Sequence, residues 1–164
     1  FAKKTTTGLE RYDLLRNHLY DFNIKKISGA GYDDQHIAVG AEPINIEVDM
    51  SIIDNSKITQ AVYDGQYMLA VSSDRYSFSS AARTSSATDN TLSITADYSK
   101  GWKSEIVETS GDWLSLNRTS SATAGTTDQK IILSKNTTNA SRTGKIKLTS
   151  GRLSMIITVV QSAN

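Results

Sequence analysis

Cysteine is absent from the 164 residues, which removes disulfide cross-links, thiolate metal sites and cysteine nucleophiles together. Histidine is scarce: His18 and His36 stand alone, with neither an H-x-x-x-H pair nor a carboxylate at ligand spacing, so no metal and no cofactor are expected. No apolar run approaches the roughly 20 residues of a membrane-spanning helix. The opening residues, Phe1-Ala2-Lys3-Lys4-Thr5-Thr6-Thr7, have no apolar signal-peptide core and no initiator methionine, so the chain is read as a fragment or a processed product. A G-x-S-x-G nucleophile elbow is also missing. Glu105, Glu108 and Asp112 are the carboxylates that most resemble a hydrolytic set, but Glu105 and Glu108 are an odd number of residues apart. On a regular strand they would face opposite ways. Catalysis is therefore not expected.

Charge of one sign is lacking too, since 18 Lys/Arg nearly balance 17 Asp/Glu. The balance shifts along the chain, with an acidic excess up to Asp64 and a basic excess beyond it. In the second part the basic residues alternate with apolar ones, as in Lys145-Ile146-Lys147-Leu148, which places them on the solvent face of a strand rather than in a phosphate-tracking patch. Nucleic acid is not an expected partner.

What the sequence does contain is two-residue alternation. After the first 16 residues helical periodicity is hard to find, whereas Ile44-Asn45-Ile46-Glu47-Val48-Asp49-Met50-Ser51-Ile52 is apolar on one face and polar on the other. Similar runs cover 18–27, 67–71, 76–78, 92–96, 129–133, 144–149 and 153–161. Asp64-Gly65 and Ser150-Gly151 supply hairpin turns, with further turn residues at 28–31 and 136–141. The Ser/Thr/Ala tracts 79–91 and 119–127 read as exposed loops. An all-β chain with an immunoglobulin-like sandwich follows. The alternation stops between Ile53 and Gln66, which suggests an incomplete N-terminal piece over 1–54, a linker or hairpin over 55–65, and the sandwich over 66–164. The strand ending at Ile52 needs a sheet to complete it, and an unpaired edge there would be a template for strand addition.

From about Gln66 to Gln161 the ordered residues Trp102, Asp112-Trp113-Leu114-Ser115-Leu116, Ile131-Ile132-Leu133, Asn136, Ser141-Arg142-Thr143-Gly144-Lys145-Ile146 and Ile157-Thr158-Val159-Val160-Gln161 resemble the BACON family of Bacteroidetes-associated carbohydrate-binding domains. The long Ser/Thr/Ala loop after Asn117 departs from the pattern. The resemblance implies an immunoglobulin-like sandwich and raises glycan binding. Aromatic faces stack on pyranose rings, so Trp102, Tyr98 and Tyr76 are the tentative carbohydrate-binding residues, with Trp102 fitting either a core or a surface position. Trp113, ahead of Leu114 and Leu116, is assigned to the scaffold. Arg142, as a donor to turn carbonyls, and Gly144, as the site of a bend or bulge, are assigned there as well. Asn117-Arg118-Thr119, Asn136-Thr137-Thr138 and Asn139-Ala140-Ser141 match the N-glycan acceptor pattern and are read as surface turns.

The first 52 residues, through Arg16-Asn17-His18-Leu19-Tyr20, Ile24, Ile27-Ser28-Gly29-Ala30-Gly31 and the strand to Ile52, are similar to the C-terminal end of Bacteroidales fimbrillin-type subunits, β-sandwich proteins that polymerise by strand exchange. Together the two resemblances imply a structural or adhesive component of a cell-surface fimbria or adhesin in a Gram-negative bacterium, lipid-anchored through an upstream region. Its partners would be other fimbrial subunits, joined by strand addition. Alternatives are a host-glycan or mucin-binding module and the accessory domain of a secreted glycan-degrading enzyme.

Overall fold

In the computed structural model the described residues are 2–5, 8–11, 19–27, 29–34, 37, 46–53 and 58–164. Alternating apolar residues become strands throughout: β1 (Ala2–Thr5), β2 (Gly8–Arg11), β3 (Leu19–Ile27), β4 (Ile46–Ile53), β5 (Ile58–Tyr63), β6 (Met68–Val71) and β7 (Arg75–Phe78). They continue with β8 (Thr91–Ala96), β9 (Trp102–Glu108), β10 (Leu114–Leu116), β11 (Ser120–Ser121), β12 (Gly125–Leu133), β13 (Arg142–Ser150) and β14 (Leu153–Gln161). The β1–β2 pair falls in the segment where the sequence left room for helical periodicity.

Two sheets make an immunoglobulin-like sandwich. One has the order β10-β12-β8-β6-β5-β4-β3 and the other β11-β9-β13-β14-β7. Alternation places Leu92, Ile94 and Ala96 of β8 and Ile131 and Leu133 of β12 inward against Ile146 and Leu148 of β13 and Ile157 and Val159 of β14. The chain switches sheets between β6 and β7, and β7 then runs parallel to β14, while every other described pairing is antiparallel.

The first sheet extends past its partner, and this overhang decides one open alternative and corrects two expectations. Of the two readings of 55–65, linker or hairpin, the described part is a hairpin strand: β5 joins β4 to β6 in one continuous sheet. Its alternation is hidden because Ala61, Val62 and Tyr63 are buried in succession. Val62 faces the main core, whereas Ala61 packs with Met50, Ala70, Met68 and Tyr20 in a second cluster on the other face of the sheet. The Asp64-Gly65 turn is a four-residue loop, since Tyr63 stands opposite Met68. The strand ending near Ile52 has no open edge: β4 is paired on one side with β3 and on the other with β5. Among the described residues the edge strand of this sheet is β3.

A bulge in β3 decides what that edge displays. Phe22 stands opposite Met50, Ile24 opposite Val48 and Ile27 opposite Ile46, with the register shifting between Ile24 and Lys26. The three-residue step from Ile24 to Ile27 would otherwise put Ile27 on the polar face. The extra residue keeps it beside Ile24.

A second bulge reverses the reading of the carboxylates. The register of β9 on β13 shifts so that Glu105 pairs with Lys147 and Glu108 with Lys145. The two glutamates therefore share one face, as cross-strand partners of lysines at 3.7 and 2.6 Å.

The polar tracts are also more ordered than their composition implies. The N–H and C=O of Arg83 both bond to Leu133 at 2.9 Å, and Asn90 is buried with its Nδ2 donating to Thr84 O and Ile131 O. Residues 125–128 are the first half of β12, paired with β8.

Candidate functional site

The structure does not bring the three tentative sugar-binding aromatics together. Gly101, at φ 66°, closes a turn in which its N–H donates to Tyr98 O at 2.8 Å. A Cβ there would lie 2.1 Å from Ser121 O, so the close approach of the β11 backbone requires glycine. This turn delivers Trp102 inward, where it is 1% exposed, and the core position weighed from the sequence is the one found. A ring enclosed on all sides offers no face to a pyranose, so Trp102 is removed from the candidate site. Tyr76, half-buried on β7, packs its ring 6.0 Å from that of Phe78 and donates its hydroxyl to Thr91 O at 2.9 Å. Burial pushes its phenol up.

Tyr98 sits differently. It meets Tyr67 edge to face, with ring centroids 5.1 Å apart and planes at 76°, and its ring lies over Gly151. Both tyrosines are partly exposed, and neither hydroxyl has a hydrogen-bond partner among the described residues. Gly151, at φ 60°, opens the two-residue turn Gly151-Arg152 between Ser150 and Leu153. The next residue, Arg152, forms an ion pair through Nε with the buried carboxylate of Asp64, whose other oxygen accepts from the N–H groups of Gln66 and Tyr67 at 3.0 and 2.8 Å. Burial raises the Asp64 pKa, but Arg152 and the two amides outweigh it and hold the carboxyl below its ordinary value. Three loops thus converge on an aromatic pair beside a fixed ion pair. In the sequence Asp64 reads as a turn residue and Tyr67 as the start of a strand run, and Arg152 lies 88 residues from Asp64, so their convergence is not legible there.

The residues assigned to scaffold occupy the opposite kind of environment. Trp113 is buried, and the Arg142 guanidinium lies 4.6 Å from its ring centroid. Arg142 donates to Ser134 O at 2.7 Å and to Gln161 Oε1 at 2.9 Å. Gln161, fully buried, donates in turn to the carbonyls of Ser80, Ala81 and Ser134. Asn136 is buried as well: its Nδ2 donates to Ala140 O and Ser162 O, and its Oδ1 accepts from Thr138. Of the three glycan-acceptor matches, Asn136 is therefore no surface turn, while Asn117 and Asn139 are exposed. Gly144 also has a different role from the one expected. A Cβ there would meet Leu114 Cδ2 at 2.6 Å, so its task is close packing between sheets, and the bulge falls beside it at Val107.

A cleft of about 350 Å³ lined by Lys103, Ser104, Glu105, Thr119, Ser120 and Thr149 contains no aromatic residue.

The strand edges complete the description. β10, β11 and β7 are three, two and four residues long, and the part of β9 beyond β11 carries Glu105 and Glu108, so each is short or guarded by charge. β3 is nine residues long. Leu19 (62% exposed), Ile24 (56%) and Ile27 (67%) lie open on it.

Fold and site together define an immunoglobulin-like sandwich with, among the described residues, one long edge strand and one tyrosine-bearing loop end. The BACON family model, described as a putative binding domain, N-terminal, matches residues 102–162, the part holding Trp102, Trp113, Asn136, Arg142, Gly144 and Gln161. No curated protein matches the chain. Similar solved structures include a Bacteroides ovatus GH5 xyloglucanase in complex with an XXXG heptasaccharide, at 22% identity and TM-score 0.44. That match covers 58% of this chain and 19% of the other, so the chain spans about a fifth of the length of that protein. A protein from Bacteroides thetaiotaomicron follows at 15% identity and TM-score 0.36, covering 56% of this chain and 77% of the other. WR4, a C. elegans MSP family member, stands at 10% identity and TM-score 0.40, covering 58% and 97%. Among the described residues no helix is long and apolar enough to cross a membrane.

Proposed function

We propose that the chain is an assembly and adhesion module of an extracytoplasmic bacterial surface structure, of fimbrial type, that works by strand pairing rather than by catalysis. The observation that carries this reading is β3: a nine-residue edge strand exposed at eight of its nine positions, with apolar side chains displayed on it. An edge strand presents a row of backbone N–H and C=O groups to any extended segment that approaches, and its apolar side chains add lateral contacts once pairing begins. The edge strands β7, β10 and β11 are short and the uncovered end of β9 is charged, features that discourage such pairing. Its partners on this reading are subunits of the same surface assembly.

Ile24→Lys tests the proposal, because it places a charge on the exposed edge without opening the core. In the producing bacterium the variant is expected to fold and to reach the surface, while the fraction recovered in sedimentable surface assemblies falls several-fold. An unchanged assembled fraction would overturn the reading.

The tyrosine-bearing loop end favours a second reading, glycan binding. Two partly exposed rings with unpartnered hydroxyls beside a fixed ion pair have the mix of apolar face and polar rim that sugars need. Calorimetry with any glycan selected by array screening is expected to show about a five- to tenfold loss of affinity in Tyr98→Ala. Hits that bind the variant as well as the original chain would remove this loop end from consideration.

A further inference from the structure

We infer that the uncovered half of β14 is a docking site for an extended segment of another polypeptide, one that carries a lysine or arginine at the end nearest Asp74. The site is separate from β3 and does not depend on it.

β7 covers only part of β14. Its four residues stand beside Thr158 to Gln161, and among the described residues no strand pairs with Leu153 to Ile157 on that side. Strand alternation decides which backbone groups this leaves open. The N–H of Thr158 donates to Asp74 O at 2.8 Å and that of Ser162 to Phe78 O at 2.9 Å, so the even-numbered residues of β14 turn their N–H and C=O toward β7. Pairing with β13 runs unbroken from Gln161 to Leu153, so the same parity holds at Ile156 and Ser154. Their N–H and C=O groups point past the start of β7, where no described backbone group meets them. Both residues are exposed.

This half of β14 borders a cleft of about 180 Å³ whose lining includes Ser154, Met155, Ile156, Asp49, Gln60 and Asp74. Asp49 stands opposite Val62, which faces the main core, so Asp49 belongs to the inner face of the overhanging sheet. The overhang thus borders the place where one more strand of the second sheet would run, about 4.8 Å from β14. Nothing guards that place. Leu153-Ser154-Met155-Ile156-Ile157 holds neither charge nor proline, in contrast to the uncovered end of β9.

An occupant must supply backbone donors and acceptors at strand spacing, which is the chemistry of an extended peptide. Charge narrows the choice. Lys25 in the same cleft is already paired with Asp49 at 2.9 Å, whereas Asp74 has no ion pair among the described residues. Its carboxylate lies at the β7 end of the opening and favours a basic side chain there over an acidic one.

The probe is an acetylated hexapeptide of alternating threonine and valine that ends in a lysine amide, titrated into the isotope-labelled chain and followed by NMR. In the free chain the amides of Ser154 and Ile156 are expected to exchange with solvent more than about tenfold faster than those of Met155 and Ile157, which face β13. The peptide is expected to bind saturably, to shift both open amides and to slow their exchange. A counterpart ending in glutamate is expected to bind about fivefold more weakly. Asp74→Lys, an exposed position, is expected to reverse that preference with an unchanged circular dichroism spectrum.

Open amides already protected in the free chain, a peptide that fails to bind or binds without moving them, or an Asp74→Lys variant with the original preference would each overturn the site. Protection that appears without peptide as the chain is concentrated would make a second copy the occupant, and overturns it equally. Ile24→Lys leaves all these readouts unchanged, so failure here and failure of the β3 reading are told apart.

Discussion

Trp102→Ala is expected to cost about 3–5 kcal/mol of folding stability, the range for removing a large aromatic side chain from a packed core. The ring is fully enclosed in the cluster of buried side chains between the two sheets, so its removal leaves a cavity there. Thermal unfolding followed by circular dichroism would show Tm lowered by roughly 6–20 °C. This result matters for function because Trp102 is also the aromatic that first suggests a sugar platform. A loss of glycan binding in this variant would report unfolding, whereas a Tm within a degree or two of the original would show that the ring is not the core element described.

Asn136→Ala is expected to cost about 2–4 kcal/mol, even though only a short polar side chain is lost. Its amide satisfies the carbonyls of Ala140 and Ser162 and accepts from Thr138, and its own N–H donates to Ser80 O at 2.8 Å. Alanine would take the Asn136 partner from the Ser162 carbonyl and the Thr138 N–H and remove one of the two donors to Ala140 O, the other being Thr138 Oγ1. The fall in Tm should be roughly 4–16 °C. Asn139→Ala, an exposed neighbour in the same loop, should change Tm very little and serves as the control. Equal effects at the two positions would contradict the account of the buried polar knot.

That knot shows how far the sequence could be read. Alternation alone placed most of the strands of the main sandwich, because each of those strands has one face in the core and one in water. It gives out at β5, where Ala61, Val62 and Tyr63 are buried in succession and do not alternate, so the stretch reads equally as a linker or a hairpin. It failed again at the two bulges, where one added residue changes the face of everything that follows, so Glu105 and Glu108 were assigned to opposite sides. The polar residues of the family resemblance, Asn136, Arg142 and Gln161, were visible one by one. Their convergence was not, because it is made by loops whose paths depend on the packed sheets. The same limit hid Asp64, Tyr67 and Arg152 from the candidate site. Trp102 could be weighed but not placed, since its burial follows from a turn whose tightness is set by the Ser121 backbone.

The parallel pairing of β7 with β14 has a mechanical consequence. Thr158 to Gln161 stand against Arg75 to Phe78, all in the same direction. A load that draws these two strands apart along their length strains all four rungs together, as a lap joint does, instead of peeling them one after another. A surface module tethered through those strands would resist traction by shear, and its rupture would be abrupt.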